Sequence, residues 1–254
     1  LNDVPSYMPP VQIGEVMRAG AVGQVVESRN KNFTEGDLVQ GSFGWQEYVV
    51  TDGSSDFMPA QKIPEGIPPT SALSIFGVTG LTAYFGMLDI GKPQEGDTVL
   101  VSGAAGATGS VAGQIAKIKG ASKIIGVAGG SDKCKWVVEE AGYDHCIDYK
   151  KENVGQKITE LAPEGLNIYF DNVGGPILES SLACIAQKAR VVLCGGISSG
   201  YSMKSLPPGP STLMNLVIQR ARMEGFIVID YAERFPDAII DLGRWVSEGK
   251  IVYR

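Results

Sequence analysis

A chain of 254 residues with a net charge of -6, 44% hydrophobic residues and a mean hydropathy of +0.04 has the composition of an ordinary soluble globule, with ample core for one large domain or two. The acidic balance and the absence of any Lys/Arg run argue against nucleic-acid and membrane-surface partners, and no apolar stretch approaches the roughly twenty residues of a membrane span. The four cysteines, Cys134, Cys146, Cys184 and Cys194, stand apart with no C-x-x-C pair, and His145 is the lone histidine; this is a reduced, cytoplasmic pattern and not a disulfide framework.

The first residues, Leu1 to Tyr7, do not resemble a signal peptide. A chain that starts without Met and stops at Arg254 just after a helical segment reads as a fragment. Residues 1–70 are rich in Pro and Gly and carry short β-like runs at Ala21–Ser28, Asp37–Gln40 and Trp45–Val50, separated by turn residues such as Glu35-Gly36-Asp37 and Asp52-Gly53. They predict a small antiparallel β-domain. The prolines of Pro64–Pro69 make a stiff connection that excludes helix, and Thr70–Leu88 has the apolar content of a helical linker.

From Gln94 onward the pattern alternates. Strands are predicted at Thr98–Ser102, Lys123–Ala128, Cys146–Asp148, Asn167–Asp171, Arg190–Cys194 and Phe226–Ile229, and helices at 110–119, 133–141, 153–161, 177–187 and 212–223. Six strands with helices between them predict an α/β fold, a doubly wound parallel sheet, over residues 71–230. In the remaining piece, 231–254, Phe235, Ile239, Leu242, Trp245 and Val246 recur at helical spacing, as in a helix that lies beyond the sheet and packs back on the β-domain.

The stretch Val99–Gly120 concentrates the chemistry. A β-branched apolar run meets Gly103, Gly106 and Gly109 at three-residue spacing, and Val111, Ala112, Ile115, Ala116 and Ile118 then follow a helical period. Strand, glycine turn, helix and a second strand on schedule describe a phosphate-binding βαβ unit, because a Cβ in such a turn blocks the bend or the approach of backbone N–H groups to an anion. The spacing departs from the strict G-x-G-x-x-G, since Ala104 and Ala105 separate the first two glycines. The second strand ends in Ala128-Gly129-Gly130 with no carboxylate for ribose hydroxyls, and Lys133 follows, so NADP is favoured over NAD. Asp132, with Ser131 the alternative, is read as the N-cap of the next helix.

A longer series of motifs then appears in order: Gly96–Ser110, Gly113–Lys117, Asp132–Lys135, Asp148–Lys150, Phe170–Gly175, Cys194–Ser198, Leu206–Pro210 and Arg222–Val228, preceded by Gly14–Arg18, Gly36–Val39 and Gly44–Tyr48. This series closely resembles the zinc-independent medium-chain dehydrogenase/reductases of the prostaglandin reductase, alkenal double-bond reductase and curcumin reductase group. The resemblance covers essentially the whole chain and implies a Rossmann sheet with a partial GroES-like β-domain. It also implies a homodimer formed through the sheet edge.

The resemblance implies a site for NADP(H). Gly106, Ala107, Thr108 and Gly109 would hold the pyrophosphate, and Lys133 and Tyr149 the 2′-phosphate. Asn172, the loop Cys194, Gly195, Gly196, Ile197 and Ser198, and the run Phe226, Ile227 and Val228 would line the rest, with Cys194 a small wall residue and not a nucleophile. No metal is implied, and residues 1–133 contain neither Cys nor His to ligate one. The reaction implied is hydride transfer to the β-carbon of a small hydrophobic α,β-unsaturated ketone or aldehyde, with Tyr201 or a ribose hydroxyl as donor to the enolate oxygen. The family spacing around Tyr201 differs by an extra residue here, in Ile197-Ser-Ser-Gly-Tyr201. A quinone reductase and a non-catalytic NADP-binding sensor are the alternatives.

Overall fold

The long apolar strands of the second half assemble into a six-stranded parallel sheet, which carries most of the core. The computed structural model describes residues 6–55, 58–199 and 208–253. The chain divides into two units, Leu1–Val78 and Thr79–Arg254.

In the first unit β1 (Ala21–Gln24), β2 (Leu38–Gly41) and β3 (Gln61–Lys62) pair antiparallel in that order, with Ala21 opposite Gly41 and Gln24 opposite Leu38. Asp37 fixes the entry to β2: its Oδ2 accepts the Thr34 N–H at 2.7 Å and faces Lys62 Nζ at 2.7 Å. A short helix, α1 (Pro69–Leu73), starts directly after the proline-rich connection, with Pro69 in its first turn. The run Trp45–Val50 alternates like a strand but forms none. Alternation becomes a strand only where a neighbour supplies backbone partners, and here Trp45, Tyr48 and Val50 are exposed while the Trp45 N–H donates to the Met17 carbonyl at 2.8 Å.

The second unit opens on α2 (Val78–Phe85), continued by a π-helical turn over Gly86–Gly91. Then follow β4 (Thr98–Ser102), α3 (Ala107–Ile118), β5 (Lys123–Ala128), α4 (Ser131–Glu139), β6 (His145–Asp148), α5 (Val154–Leu161), β7 (Leu166–Asp171), α6 (Gly175–Ala183), β8 (Ile185–Leu193), α7 (Met214–Ile218), β9 (Arg222–Gly225) and α8 (Phe235–Ser247). The sheet order is β6-β5-β4-β7-β8-β9, and every pairing is parallel. Both faces of such a sheet are covered, so its central strands are apolar throughout: Val99, Leu100 and Val101 of β4 and Ile168, Tyr169 and Phe170 of β7 are all fully buried. Each such side chain contributes about 1.5–3 kcal/mol relative to exposure. The strand order reverses between β4 and β7, which puts a crevice at the carboxyl ends of those two strands.

The largest departures from the sequence reading lie after β7. The strand β8 begins at Ile185, so α6 stops at Ala183; the reading ran that helix through residue 187 because a register irregularity opposite Leu166 and Ile168 breaks the strand's pattern. The predicted helix 212–223 is a 3-10 turn at Ser211–Leu213 followed by α7, and the predicted strand Phe226–Ile229 is displaced to Arg222–Gly225. At the edge of the sheet β9 needs no apolar face, and its Arg222 and Glu224 side chains pair in solvent at 3.7 Å. Phe226 falls just past the strand end, and Val228 opens a 3-10 turn that runs to Arg234.

The helix α8 buries Ala238, Leu242 and Trp245. The Trp245 ring stacks on Tyr84 at 5.9 Å, and the Tyr84 hydroxyl donates to Asp241 at 2.8 Å. Phe85 stacks on Tyr231 at 4.6 Å. These contacts seat the helix on α2 within the second unit.

Candidate functional site: a glycine cradle at the switch point

The turn between β4 and α3 shows why three glycines stand there. Gly103 leaves the strand at φ +63°, a left-handed conformation that a side chain disfavours. Gly106 caps α3, its N–H donating to the Gly103 carbonyl at 2.9 Å. A Cβ on Gly109 would lie 2.3 Å from the Gly103 carbonyl oxygen, so the helix start packs directly on the turn. The first N–H groups of α3, on Ala107, Thr108 and Gly109, have no carbonyl within the helix to bond, and they form the positive end of a twelve-residue dipole. This is a cradle for a phosphate, and the close approach depends on bare backbone.

A cleft of about 780 Å³ runs beside the cradle and is lined by Gly106, Gly129, Lys133, Tyr149, Ile197 and Ser198, among others. At its far end the Tyr149 ring lies against the end of β5, where a Cβ on Gly129 would meet Cε1 and the phenol oxygen at 2.8 Å. Gly130, at φ +103°, caps α4 and donates its N–H to Asp148 Oδ1 at 2.8 Å. The cap of α4 is therefore Gly130 with no side-chain bond, and Asp132 sits inside the first turn instead of capping it. The Gly130 N–H, and after it the Lys150 N–H, hold the Asp148 carboxyl below the usual range. Its Oδ1 is thereby engaged by backbone, and Lys133, Tyr149, Glu152 and Asn153 line the cleft.

At the switch point the ends of β4 and β7 are tied together. The Asn172 backbone N–H donates to Ser102 Oγ at 2.9 Å, and its side-chain amide donates to the Ser102 carbonyl at 2.7 Å. Asn172 was read as presenting its side chain to a cofactor; the amide nitrogen is engaged with the strand end. The Asp171 carbonyl accepts N–H bonds from Cys194 at 2.9 Å and Gly195 at 3.0 Å, and the Val173 carbonyl accepts the N–H of Ser198 at 2.9 Å and its hydroxyl at 2.7 Å. Cys194, Gly195, Gly196, Phe226 and Ile227 line a second cavity of about 580 Å³ together with Asp171. Val228 is buried behind them. Burial, and secondarily the charge of Asp171, push the Cys194 thiol up to about 12, which keeps it protonated and unreactive at neutral pH.

The sequence reading missed Asp171 and Ser102. Asp171 is fully buried, its Oδ1 accepts bonds from Ser102, Tyr169, Val173 and Gly174, and its Oδ2 has no partner among the described residues. The signal was present in the sequence: an aspartate directly after the run Ile168–Phe170 is a charge carried into a core. Tyr201 lies outside the described residues. Among the described residues no three His, Cys, Asp or Glu side chains come together as a metal site, and the four cysteines are free.

Parallel sheet, switch point and glycine cradle together define a dinucleotide-binding protein of the Rossmann type. The model of the zinc-binding dehydrogenase family matches residues 107–243, and that of the N-terminal domain of oxidoreductases matches residues 1–58. The NADPH-dependent curcumin reductase of Escherichia coli (strain K12) is 40% identical over all of this chain and 74% of its own length. Prostaglandin reductase 1 of Bos taurus is 39% identical over 94% of this chain and 73% of its own. The crystal structure of CurA from Vibrio vulnificus in complex with NADPH superposes with a TM-score of 0.90 at 40% identity, over all of this chain and 75% of that one. The chain belongs to the medium-chain dehydrogenase/reductase family, in its curcumin and prostaglandin reductase group.

Proposed function

We propose that this protein is an NADPH-dependent reductase of the carbon-carbon double bond of α,β-unsaturated ketones or aldehydes. The observation that carries the cofactor half of this reading is the cradle at Gly106–Gly109 joined by one cleft to Lys133 and Tyr149. The residues fit the group: the space that a Cβ would fill at Gly109 and Gly129 is taken by backbone and by the Tyr149 ring, and a carboxylate that would repel a 2′-phosphate is absent from the end of β5. The names of the curcumin and prostaglandin reductases support the substrate half, and NADPH stands both in the name of the Escherichia coli enzyme and in the Vibrio vulnificus complex.

In this reading the Ala107, Thr108 and Gly109 N–H groups take the pyrophosphate, while the Lys133 ammonium and the Tyr149 phenol take the 2′-phosphate by charge and hydrogen bond. Cys194, Gly195 and Gly196 would flank the ring end together with Phe226 and Ile227, which line the same cavity, while Asn172, whose amide nitrogen is bonded to Ser102, and Ile197, Ser198 and Val228 would complete the site. When bound, the reduced nicotinamide supplies the hydride that the substrate β-carbon receives. Tyr201 or a ribose hydroxyl would hydrogen-bond the substrate carbonyl oxygen, where negative charge develops, and the resulting enolate takes a proton from water at its α-carbon, so no strong general base is required.

The same proposal divides the chain into a substrate domain over 1–70, an NADP domain over 71–230 and a return segment over 231–254. It pairs two copies through the sheet edge at β9; Leu213, Met214, Val217 and Ile218, which precede that strand in the chain, are exposed. A cytoplasmic location accords with four free cysteines, and among the described residues no helix is long and apolar enough to cross a membrane.

The test is cofactor consumption, NADPH against NADH, with a 2-alkenal, an aryl enone, a quinone and a saturated aldehyde offered separately. NADPH-dependent turnover of the enones alone supports double-bond reduction. Turnover of the quinone alone moves the assignment to a quinone reductase, and binding of NADPH without any turnover leaves a sensor.

A further inference from the structure

Asn172 and the Cys194–Ser198 loop enter the proposed cofactor site, yet both hang on Asp171, which touches neither the cradle nor the 2′-phosphate end. Four donors converge on its Oδ1: Ser102 Oγ at 2.9 Å, the Tyr169 hydroxyl at 2.6 Å, and the N–H groups of Val173 at 3.0 Å and Gly174 at 2.9 Å. Its carbonyl adds Cys194 and Gly195 of the loop after β8. Ser102, the last residue of β4 and the one before Gly103, in turn accepts the Asn172 N–H. One residue thus ties the ends of β4, β7 and β8, and a charged acceptor suits four converging donors.

We propose that Asp171 is a positioning residue for dinucleotide binding, holding the glycine turn through Ser102 and the Cys194–Ser198 loop through its carbonyl in one fixed placement. The proposal rests on the NADPH-site reading given above. Among the described residues Ser102 links the carboxylate to the turn; Tyr169 bonds the same oxygen from within the core, and its hydroxyl lies beside those of Ser102 and Ser181.

The experiment measures the NADPH dissociation constant by its fluorescence, alongside the thermal midpoint, for the parent, Asp171→Asn, Ser102→Ala, the double variant and Tyr169→Phe. Asp171→Asn and Ser102→Ala each weaken NADPH binding by about tenfold, the double variant is no weaker than the worse single, and Tyr169→Phe lowers the midpoint while binding stays within about twofold. A parent that binds NADPH and an Asp171→Asn variant that binds it equally well overturn the proposal. So does a Tyr169→Phe variant weakened as much as Asp171→Asn, since that is general loosening of the core. If Asp171→Asn does not fold, Ser102→Ala decides alone, and unchanged binding there overturns the proposal. A parent that does not bind NADPH removes the cofactor reading itself, and this proposal with it.

Discussion

The ring of Tyr149 lies against the backbone of Gly129, so close that a Cβ there would meet Cε1 and the phenol oxygen at 2.8 Å. Gly129 directly follows the second strand of the βαβ unit, where a site for NAD carries its acidic residue. The tyrosine therefore occupies the room that the missing side chain leaves, and the two residues act as one choice. Gly129→Asp displaces the ring, which is half-exposed and free to swing out, and sets a negative charge beside Lys133. The expected outcome is a rise of at least about tenfold in the NADPH dissociation constant, with NADH affinity unchanged or improved. Equal losses for both cofactors would mean that the substitution merely breaks the turn.

Gly109 allows no side chain at all. The obstacle at 2.3 Å is the carbonyl oxygen of Gly103, and Gly103 C and Ala104 Cα follow at 2.9 and 3.1 Å, so relief requires moving the turn itself. Gly109→Ala should cost about 1–3 kcal/mol of stability and widen the cradle, reducing NADPH affinity by about tenfold or more. Calorimetry and cofactor titration read the two effects separately. An alanine variant with parental midpoint and affinity would show that α3 does not start against the turn as described.

The sheet and its cradle were legible in the sequence because a parallel strand buried on both faces has to be apolar along its length and a phosphate turn has to be glycine. Thr98–Ser102 and Lys123–Ala128 accordingly fall where the pattern places them. The edge of the sheet was not legible: β9 is polar and short, and the stronger apolar run after it, Phe226–Ile229, attracted the strand assignment. Trp45–Val50 failed for the converse reason, as an alternating pattern with no described strand beside it. At the site, Lys133 and Tyr149 could be named from motifs. The sequence flags Asp171 as a charge at the end of an apolar run, but its bond to Ser102, 69 positions away in the chain, is encoded by no local spacing.

The guanidinium of Arg190 on β8 pairs with the Asp97 carboxylate, both nearly buried, and also donates to the carbonyls of Gly91 at 2.8 Å and Lys92 at 3.0 Å. Asp97 in turn accepts the Gln94 N–H at 2.9 Å at the entry to β4. Arg190→Met removes the cation and leaves a buried carboxylate and two carbonyls without their donor, so a loss of about 3–5 kcal/mol is expected. Removing both charges together, in Arg190→Met with Asp97→Asn, should cost less than the sum of the single changes, measured by urea unfolding. Strict additivity would show that the pair does not interact in solution.

Tyr84 supplies a pH dependence. Burial first, and then the bond to Asp241, push its phenol from 10.0 up to about 12. Below about pH 10 the phenol is protonated in both folded and unfolded chains, and its contribution to stability is fully present. Between about 10 and 12 the unfolded chain releases the proton and the folded chain does not, so stability falls across that window and the contribution is lost once the pH passes the folded value. Tyr84→Phe has no proton to release. It should lower the midpoint at neutral pH, through loss of the bond to Asp241, by an amount equivalent to about 1 kcal/mol, and it should fall less steeply than the parent as the pH is raised through that window. Parallel midpoint-against-pH curves for the two proteins would show that the Tyr84 phenol titrates alike folded and unfolded, and that the Asp241 contact does not hold its proton.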